Sequence, residues 1–266
     1  MKSIYLFILL LLLLISCHKE TSADFTDSPI IEGYLTPGDP FSIHIYRQTP
    51  FSSDVEYSSD DINNLNVVVS CDGTDYPLTP TGDGYYTSSV VSIEEGKTYS
   101  LSFSFNTKTV SAYTYIPTKP ESFTQSATEI EIERMDSTSG PPSSSQPDPI
   151  ELYWDNPDNS YYLVVVENIE PILDPIRDFG DEDPPENIFR KNPTQTTAEE
   201  LRPMEFQYYG MHRIILYHVL PDYASLYDEG TVSSQNITNP STSIVNAYGI
   251  FTGLNTDTVF VKVKEP

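Results

Sequence analysis

The sequence is poor in cysteine, and its two cysteines stand in different surroundings. Cys17 ends a long apolar run near the start of the chain, whereas Cys71 lies far downstream. A fold held together by several disulfide bonds is therefore excluded. Cys71 shares an alternating apolar register with Leu65, Val67 and Val69. This register predicts a buried structural thiol, with a reactive thiol as the alternative.

Positive charge is also scarce. The chain has 14 lysines and arginines against 39 aspartates and glutamates, which gives a formal net charge of -25. A field of this sign repels nucleic acid and anionic lipid surfaces. We therefore predict that the protein has no nucleic-acid partner.

Sequence signatures of catalysis are missing. There is no GxSxG, HExxH, P-loop or GxGxxG pattern, and no long amphipathic helix. His212 and His218 share a predicted strand, but six residues at about 3.3 Å each hold them about 20 Å apart, too far to share one metal ion. We expect each of them to be a surface or packed imidazole. The prediction is a protein that is not an enzyme, with no catalytic, cofactor-binding or metal-binding residues.

Acidic residues cluster in one loop and around neighbouring turns. Ca²⁺ prefers carboxylates, but the loop spacing does not match an EF-hand, and Pro184-Pro185 favours a solvated loop over a cation site. The hairpin acids are interpreted as turn residues. The loop acids are Asp178, Asp181, Glu182, Asp183 and Glu186, and the hairpin acids are Asp72, Asp75 and Asp83.

The first residues have the pattern of an export signal. Lys2 precedes an apolar run over Ile4–Ile15, which is shorter than the roughly 20 residues of a membrane span. Leu14-Ile15-Ser16-Cys17 resembles a lipobox, in which the cysteine is acylated, for example with palmitate, and becomes the new N-terminus. We predict a lipoprotein signal peptide at 1–16, lipid attachment at Cys17 and a tether at 17–27. The alternatives are an ordinary signal peptide with a chance cysteine, or an uncleaved anchor.

What the sequence does contain is alternation with a period of two. Apolar residues alternate with polar ones over Phe41–Tyr46 and Tyr99–Phe105, which indicates half-buried strands. Asp72-Gly73 and Gly82-Asp83-Gly84 are hairpin signals between strands. We predict an all-β protein of two immunoglobulin/fibronectin-III-like or prealbumin-like β-sandwich domains in tandem, with one or two short helices in the second.

The domains are placed at 28–118 and 119–266, with Pro117 and Pro120 at the joint and mobile loops at about 137–149 and 174–196. The second domain carries the one tryptophan, Trp154, which we expect in the core. A capping box at Thr196 and Glu199 predicts one short helical turn in this domain. The segment Pro221–Glu229 is predicted as a second short helix. Its predicted strands are Ile150–Trp154, Tyr161–Glu167, Phe206–Leu220, Ala247–Phe251 and Val259–Lys264.

Tyrosine is abundant, with 19 residues, and several occur in pairs. In a strand, one member of each pair should face the core and the other should face outward. Outward tyrosines suit a protein or glycan surface. The alternative is ordinary β-rich composition. The pairs are Tyr85-Tyr86, Tyr161-Tyr162 and Tyr208-Tyr209.

The chain resembles the domain of unknown function 4249 family of Bacteroidota outer-membrane lipoproteins. The motifs that carry the resemblance are the lipobox, Ile30–Thr36, Phe41–Pro50, Gly84–Tyr86, Gly96–Leu101 and Ala247–Phe251. The resemblance implies an association with outer-membrane nutrient transporters of the TonB-dependent kind, and it carries over no catalytic residues.

These observations favour a lipoprotein of the cell outer membrane, exposed at the cell surface, that acts as a binding or accessory module. Its expected partners are the membrane, through the lipid on Cys17, and an outer-membrane transporter or a surface glycan. A glycan-binding protein should expose aromatic side chains as a platform or cleft. One alternative is a structural or adhesive β protein. Another is a glycan-active hydrolase, which should show two facing acids with a raised pKa on one.

Overall fold

A computed structural model describes residues 27–48, 60–135, 147–179, 183–227 and 243–266. The predictions for the signal peptide, for Cys17 and for most of the loop at 137–149 fall outside these ranges. In the part described, no helix is long and apolar enough to cross a membrane.

Strands dominate the described residues, which confirms the all-β prediction. In chain order they are β1 (Pro29–Leu35), β2 (Pro40–Arg47), β3 (Val68–Cys71), β4 (Thr74–Pro77), β5 (Thr79–Gly82), β6 (Tyr85–Ser92), β7 (Thr98–Phe105), β8 (Lys108–Tyr115), β9 (Thr124–Gln125), β10 (Glu129–Glu131), β11 (Ile150–Tyr153), β12 (Tyr161–Asn168), β13 (Asp174–Pro175), β14 (Ile188–Arg190), β15 (Ala198–Leu201), β16 (Tyr208–Val219) and β17 (Tyr248–Lys264).

The helices are short. An α-helical turn covers Asp60–Asn63 in the first half of the chain, where none was predicted. In the second half, a 3₁₀ turn covers Pro203–Glu205, and an α-helical turn at Pro221–Ala224 continues as a 3₁₀ turn at Ser225–Tyr227. The helices predicted for the second domain are therefore present at Pro221, but not at Thr196.

The strands form two face-to-face layers around two cores. One main sheet has the order β14-β12-β16-β17-β1-β2-β6-β5, with β10 beside β17 and β13 beside β16. A four-stranded sheet, β4-β3-β7-β8, covers the first half of the main sheet, and a three-stranded sheet, β15-β11-β9, belongs to the second half. The result is two sandwiches that share one layer.

The first core follows from the predicted alternation. Ile31, Ile43 and Tyr86 are fully buried from the main sheet, and Leu101 and Val110 meet them from the four-stranded sheet. Burying an apolar side chain of this size contributes roughly 1.5–3 kcal/mol, before the cost of ordering the chain. The inward face of the first sandwich is thus set by the residues that the period of two picks out.

The second core contains Trp154, as predicted from the sequence, with 3% of the residue exposed. Its ring centroid lies 5.8 Å from that of Tyr162. Leu152 from the three-stranded sheet and Val261 and Val263 from β17 pack in the same cluster. The two cores are distinct, but both draw residues from β17.

Strand β17 runs without interruption through both sandwiches. Its first part, from Tyr248 to Gly253, pairs in parallel with β1, and its second part, from Leu254 to Val263, pairs antiparallel with β16. Phe251 is buried in the first core, whereas Val261 is buried in the second. The odd-numbered positions therefore face inward along the whole strand, because alternation continues across the joint.

This arrangement differs from the predicted division at residue 118. Ile244, Ala247 and Phe251 were assigned to the second domain, yet they pack in the first core. The two predicted strands at Ala247–Phe251 and Val259–Lys264 are one strand. The polar residues between them stay in the strand, and among them Asn255 donates from its side chain to the Pro117 carbonyl at 2.9 Å.

One further sequence prediction is wrong in the second half. The segment around Thr196 and Glu199 is not helical, because Ala198–Leu201 pairs antiparallel with β11 and buries Leu201. Within the range predicted as a mobile loop, 174–196, the short strands β13 and β14 pair with β16 and β12.

The parallel pairing of β17 with β1 requires a glycine at position 249. Its φ is +100°, and an added Cβ would lie 2.0 Å from the Ile31 carbonyl oxygen. Gly38, in the turn before β2, offers a matched comparison, because its φ is +89° and an added Cβ would meet nothing within 4 Å. At both positions a side chain would strain the backbone, because φ is positive. Only at Gly249 would the added Cβ also overlap another atom, the Ile31 carbonyl oxygen.

Replacing Gly249 by alanine should therefore lower the free energy of unfolding more than Gly38→Ala does, by roughly 1–3 kcal/mol. Urea unfolding of both variants measures the difference. Equal losses in the two variants would contradict the close contact between β17 and β1.

Candidate binding surface

The outward face of the main sheet carries a row of aromatic side chains. Residues that alternate with the core positions of β1, β2 and β6 point away from the first core. We define the tyrosine strip as Tyr85, His44, Tyr46, Glu32, Tyr34, Tyr223 and Tyr227. The strip starts at β6, crosses β2 and β1, and ends on the helical segment that lies over the second half of the sheet.

Three rings at the β6 end stand beside one another. His44 and Tyr85 are opposite each other in the register of β2 and β6, with ring centroids 4.2 Å apart and planes at 7°. Tyr46, two residues along β2, has its centroid 4.9 Å from that of His44. The His44 Nε2 donates to the Asp83 carbonyl at 3.1 Å, because a carbonyl oxygen can only accept. This bond fixes the central ring of the stack.

Glu32 gives the middle of the strip a negative charge. The Tyr46 hydroxyl donates to Glu32 Oε1 at 2.9 Å. Burial, together with this bond and the charge of Glu32, raises the pKa of Tyr46 to about 12. Burial and then the charge of Glu32 also raise the pKa of Tyr34. Both phenols therefore stay protonated and keep their capacity to donate hydrogen bonds.

Tyr34 connects the sheet to the helical segment Pro221–Tyr227. Its ring meets Tyr223 edge-to-face, with centroids 6.1 Å apart, and Tyr223 lies 5.9 Å from Tyr227. Burial raises the pKa of Tyr223, with a hydrogen bond to Tyr227 as the next cause. The side chain of Thr252 on β17 donates to Asp222 at 3.0 Å, which ties the segment to the shared strand.

A cavity of about 270 Å³ opens where the helical segment meets β12. Its lining residues are Tyr161, Asn192, Pro193, Pro221, Ala224, Ser225 and Tyr227. Tyr227 belongs both to this cavity and to the strip, so the strip ends at a concave site.

The strip is accessible over much of its length. Tyr85 is 47% exposed and Tyr34 is 46% exposed, whereas Tyr86, next to Tyr85 in the chain, is fully buried. The surface can therefore offer ring faces, phenol hydroxyls and one carboxylate to a ligand. These groups suit binding by stacking and hydrogen bonding.

The predicted orientation of the tyrosine pairs is confirmed for Tyr85-Tyr86 and wrong for Tyr208-Tyr209. Both members of the last pair are buried, because the sheet is covered on both sides at that point. The hydroxyl of Tyr208 donates to the Pro185 carbonyl, and that of Tyr209 donates to the Ile132 carbonyl. In the remaining pair, Tyr162 is buried and Tyr161 lines the cavity.

His212 and His218 are packed imidazoles on β16. His212 is 3% exposed, and its Nδ1 donates to the Gly210 carbonyl at 3.2 Å while Nε2 faces the Asn168 side-chain amide at 3.3 Å. Burial lowers the pKa of His212 to about 4 and also lowers that of His218. Within the described ranges, no group of three or more His, Cys, Asp or Glu side chains could hold a metal ion.

The predicted acidic clusters are dispersed among turns. Asp72 pairs with Lys97, and Asp75 accepts a hydrogen bond from Ser70. Asp83 contributes its carbonyl to His44. In the acidic loop, Asp178, Asp183 and Glu186 are described, whereas Asp181 and Glu182 lie outside the described residues.

Two described carboxyl groups have shifted pKa values, Glu129 and Asp174. Both values are lowered, because Lys264 binds the first and Arg134 binds the second. The hydrolase hypothesis requires the opposite direction on one of two facing acids.

Cys71 is less buried than predicted. It lies at the edge of the first core and is partly exposed, because β3 ends there in the Asp72-Gly73 turn. Burial still raises the pKa of its thiol.

Sequence reasoning passed over six of the seven members of the strip: Glu32, Tyr34, His44, Tyr46, Tyr223 and Tyr227. The available signal was the polar half of the alternation in β1 and β2, where two aromatic side chains and a histidine occupy positions that usually carry small polar residues. Pairing between β2 and β6, which places His44 against Tyr85, could not be obtained from local pattern.

A family model described as a domain of unknown function (DUF4249) matches residues 19–259. No curated protein matches the chain. Among solved structures, a two-domain fibronectin type-III segment of chicken tenascin aligns with 8% identity and a TM-score of 0.26. That alignment covers 89% of this chain and 99% of the tenascin segment.

The depressed pKa of His212 predicts acid sensitivity. The unfolded chain takes up a proton near pH 6.5, whereas the folded protein resists it until about pH 4. Stability present above pH 6.5 should therefore be lost as the pH falls toward 4. Between pH 7.5 and 4.5 this group should remove roughly 2–3 kcal/mol from the free energy of unfolding.

His212→Gln, which keeps one donor and one acceptor, should reduce this pH dependence by that amount. Urea unfolding at the two pH values compares the variant with the unaltered protein. An unchanged loss of stability in the variant would show that His212 is not the group responsible.

Proposed function

We propose that this chain, which belongs to the DUF4249 family, is a lipid-anchored binding module at the surface of the bacterial outer membrane. In this proposal the lipid is attached to Cys17, and the protein serves as an accessory to a nutrient transporter of the TonB-dependent kind. Its role is to bind rather than to catalyse.

The observation that carries the proposal is the exposed tyrosine strip. A β protein that served only as a spacer would have no need for aromatic side chains upright on one open sheet face. Here Tyr85 and Tyr34 are each nearly half exposed, although other tyrosines of the chain are buried completely. Tyrosine offers a large contact area and a hydroxyl with little loss of side-chain freedom, which favours its use in recognition.

The proposed anchor leaves a short link between the lipid and the fold. β1 begins at Pro29, twelve residues after Cys17, and a link of this length reaches at most about 40 Å. Several acyl chains hold a protein on a membrane stably, where one chain alone binds marginally. The strong negative charge supports attachment by lipid rather than by electrostatic adsorption.

The experiment is affinity purification of the tagged full-length protein from detergent-solubilised envelopes. We expect an outer-membrane barrel to co-purify with the unaltered protein, and to be lost with Cys17→Ala, because the unanchored protein leaves the membrane. Cys71→Ala is the matched control, since it removes the other cysteine, at the edge of the first core. It should retain both the lipid and the barrel.

Mass spectrometry of each preparation measures the acyl modification and the co-purifying proteins together. Recovery of an acylated protein without any barrel would reject the accessory role. A protein that lacks acylation at Cys17 would reject the anchor.

A further inference from the structure

We propose that the tyrosine strip binds a neutral carbohydrate chain, with one sugar ring stacked on the open face of Tyr85. The inference rests on the proposed function, since it names the ligand class of that binding surface. Four features of the strip support it.

The first feature is a free aromatic face at the edge of the sheet. The His44 ring covers one face of the Tyr85 ring, with 4.2 Å between the centroids. Because Tyr85 is still about half exposed, we assign its exposed area to the opposite face of the ring. On the edge strand β5, the residue paired with Tyr85 is Gly82, and a Cβ built at Gly82 meets nothing within 4 Å. Gly82 has no side chain that could cover the remaining ring face, so a flat apolar sugar face can stack on it.

The second feature is a dense set of hydroxyl groups along the strip. Tyr34 and Tyr46 remain protonated, and Glu32 accepts from Tyr46. Ser42 and Thr87 are paired across β2 and β6, two residues along from His44 and Tyr85, and therefore lie on the same face of the sheet. Sugar hydroxyls both donate and accept, so they complement a surface made of phenols, small hydroxyls and a carboxylate.

The third feature is charge. The chain has a net charge of -25, and Glu32 adds a carboxylate at the strip itself, so polyanions are repelled. A cationic ligand would favour rings arranged as a cage around the charge. The rings of Tyr85, His44 and Tyr46 instead lie against one another and enclose no space. A neutral ligand that needs one ring face fits this geometry best.

The fourth feature is length. The sheet part of the strip crosses three neighbouring strands, β6, β2 and β1, which spans about 10 Å at the usual strand spacing. Beyond β1 it continues over Tyr223 and Tyr227 to the cavity of about 270 Å³. An extended site of this kind fits a linear chain of several sugar units rather than a single small molecule.

The experiment is electrophoresis of the full-length protein, purified in detergent, through native gels that contain a neutral polysaccharide. The probes are a β-glucan, a xylan and an α-mannan, with heparin as the polyanion and polylysine as the polycation. We expect at least one neutral polysaccharide to retard the protein, and the retardation to persist in high salt, which screens charge interactions.

Tyr85→Ala should weaken that binding about tenfold, the loss expected for one stacking contact. The matched control is Tyr113→Ala, because Tyr113 is an outward tyrosine of β8 on the other sheet, outside the strip, and is 68% exposed. It should bind as the unaltered protein does. Circular dichroism of both variants verifies that they are folded.

The proposal is overturned if none of the three neutral polysaccharides retards the protein, or if Tyr85→Ala and Tyr113→Ala bind equally. Retardation by polylysine alone, lost in high salt, would overturn it in favour of a cationic ligand. These outcomes are separate from failure of the proposed function, because co-purification of an outer-membrane barrel does not depend on which polysaccharide binds.

Discussion

The structure depends on one strand that belongs to both sandwiches. β17 supplies Phe251 to the first core and Val261 and Val263 to the second, and it hydrogen-bonds to β1 in one half and to β16 in the other. Neither sandwich completes its main sheet without it. Because the last residues of the chain close both cores, we infer that the two halves fold as one cooperative unit rather than as independent domains.

The shared strand also fixes the binding surface. Tyr34 lies on β1, whereas Tyr223 lies on a segment that the second half supports, and Thr252 on β17 bonds to that segment. If the two halves moved independently, the strip would break between Tyr34 and Tyr223. At the joint, Asn255 holds the Pro117 carbonyl and His218 donates to the Thr118 carbonyl at 2.8 Å, so polar contacts add to the continuous sheet. A continuous sheet thus gives the row of side chains a fixed spacing.

Local sequence pattern predicted which residues face the cores, but it predicted little of the outward surface. The alternation around Ile43 and Leu101, the Asp72-Gly73 turn and the core position of Trp154 all follow from side-chain period and turn chemistry. Strand pairing between distant segments does not. The segment from Phe251 to Val259 carries glycine, asparagine and aspartate, which indicate a turn locally, and it stays extended because it pairs with the distant strands β1 and β16 and contacts Pro117. The strip was missed for the same reason, since its residues come from segments about 10 to 190 positions apart.

The most direct test of the shared strand uses two probes, one for each core. Trp154 is the single tryptophan and reports on the second core, while Cys71 lies at the edge of the first. In a Cys17→Ala protein, urea unfolding is followed by tryptophan fluorescence and, in parallel, by the rate at which a thiol reagent labels Cys71. The shared strand predicts one transition with the same midpoint for both probes. Two separated midpoints would contradict it, because they would show that each sandwich unfolds without the other.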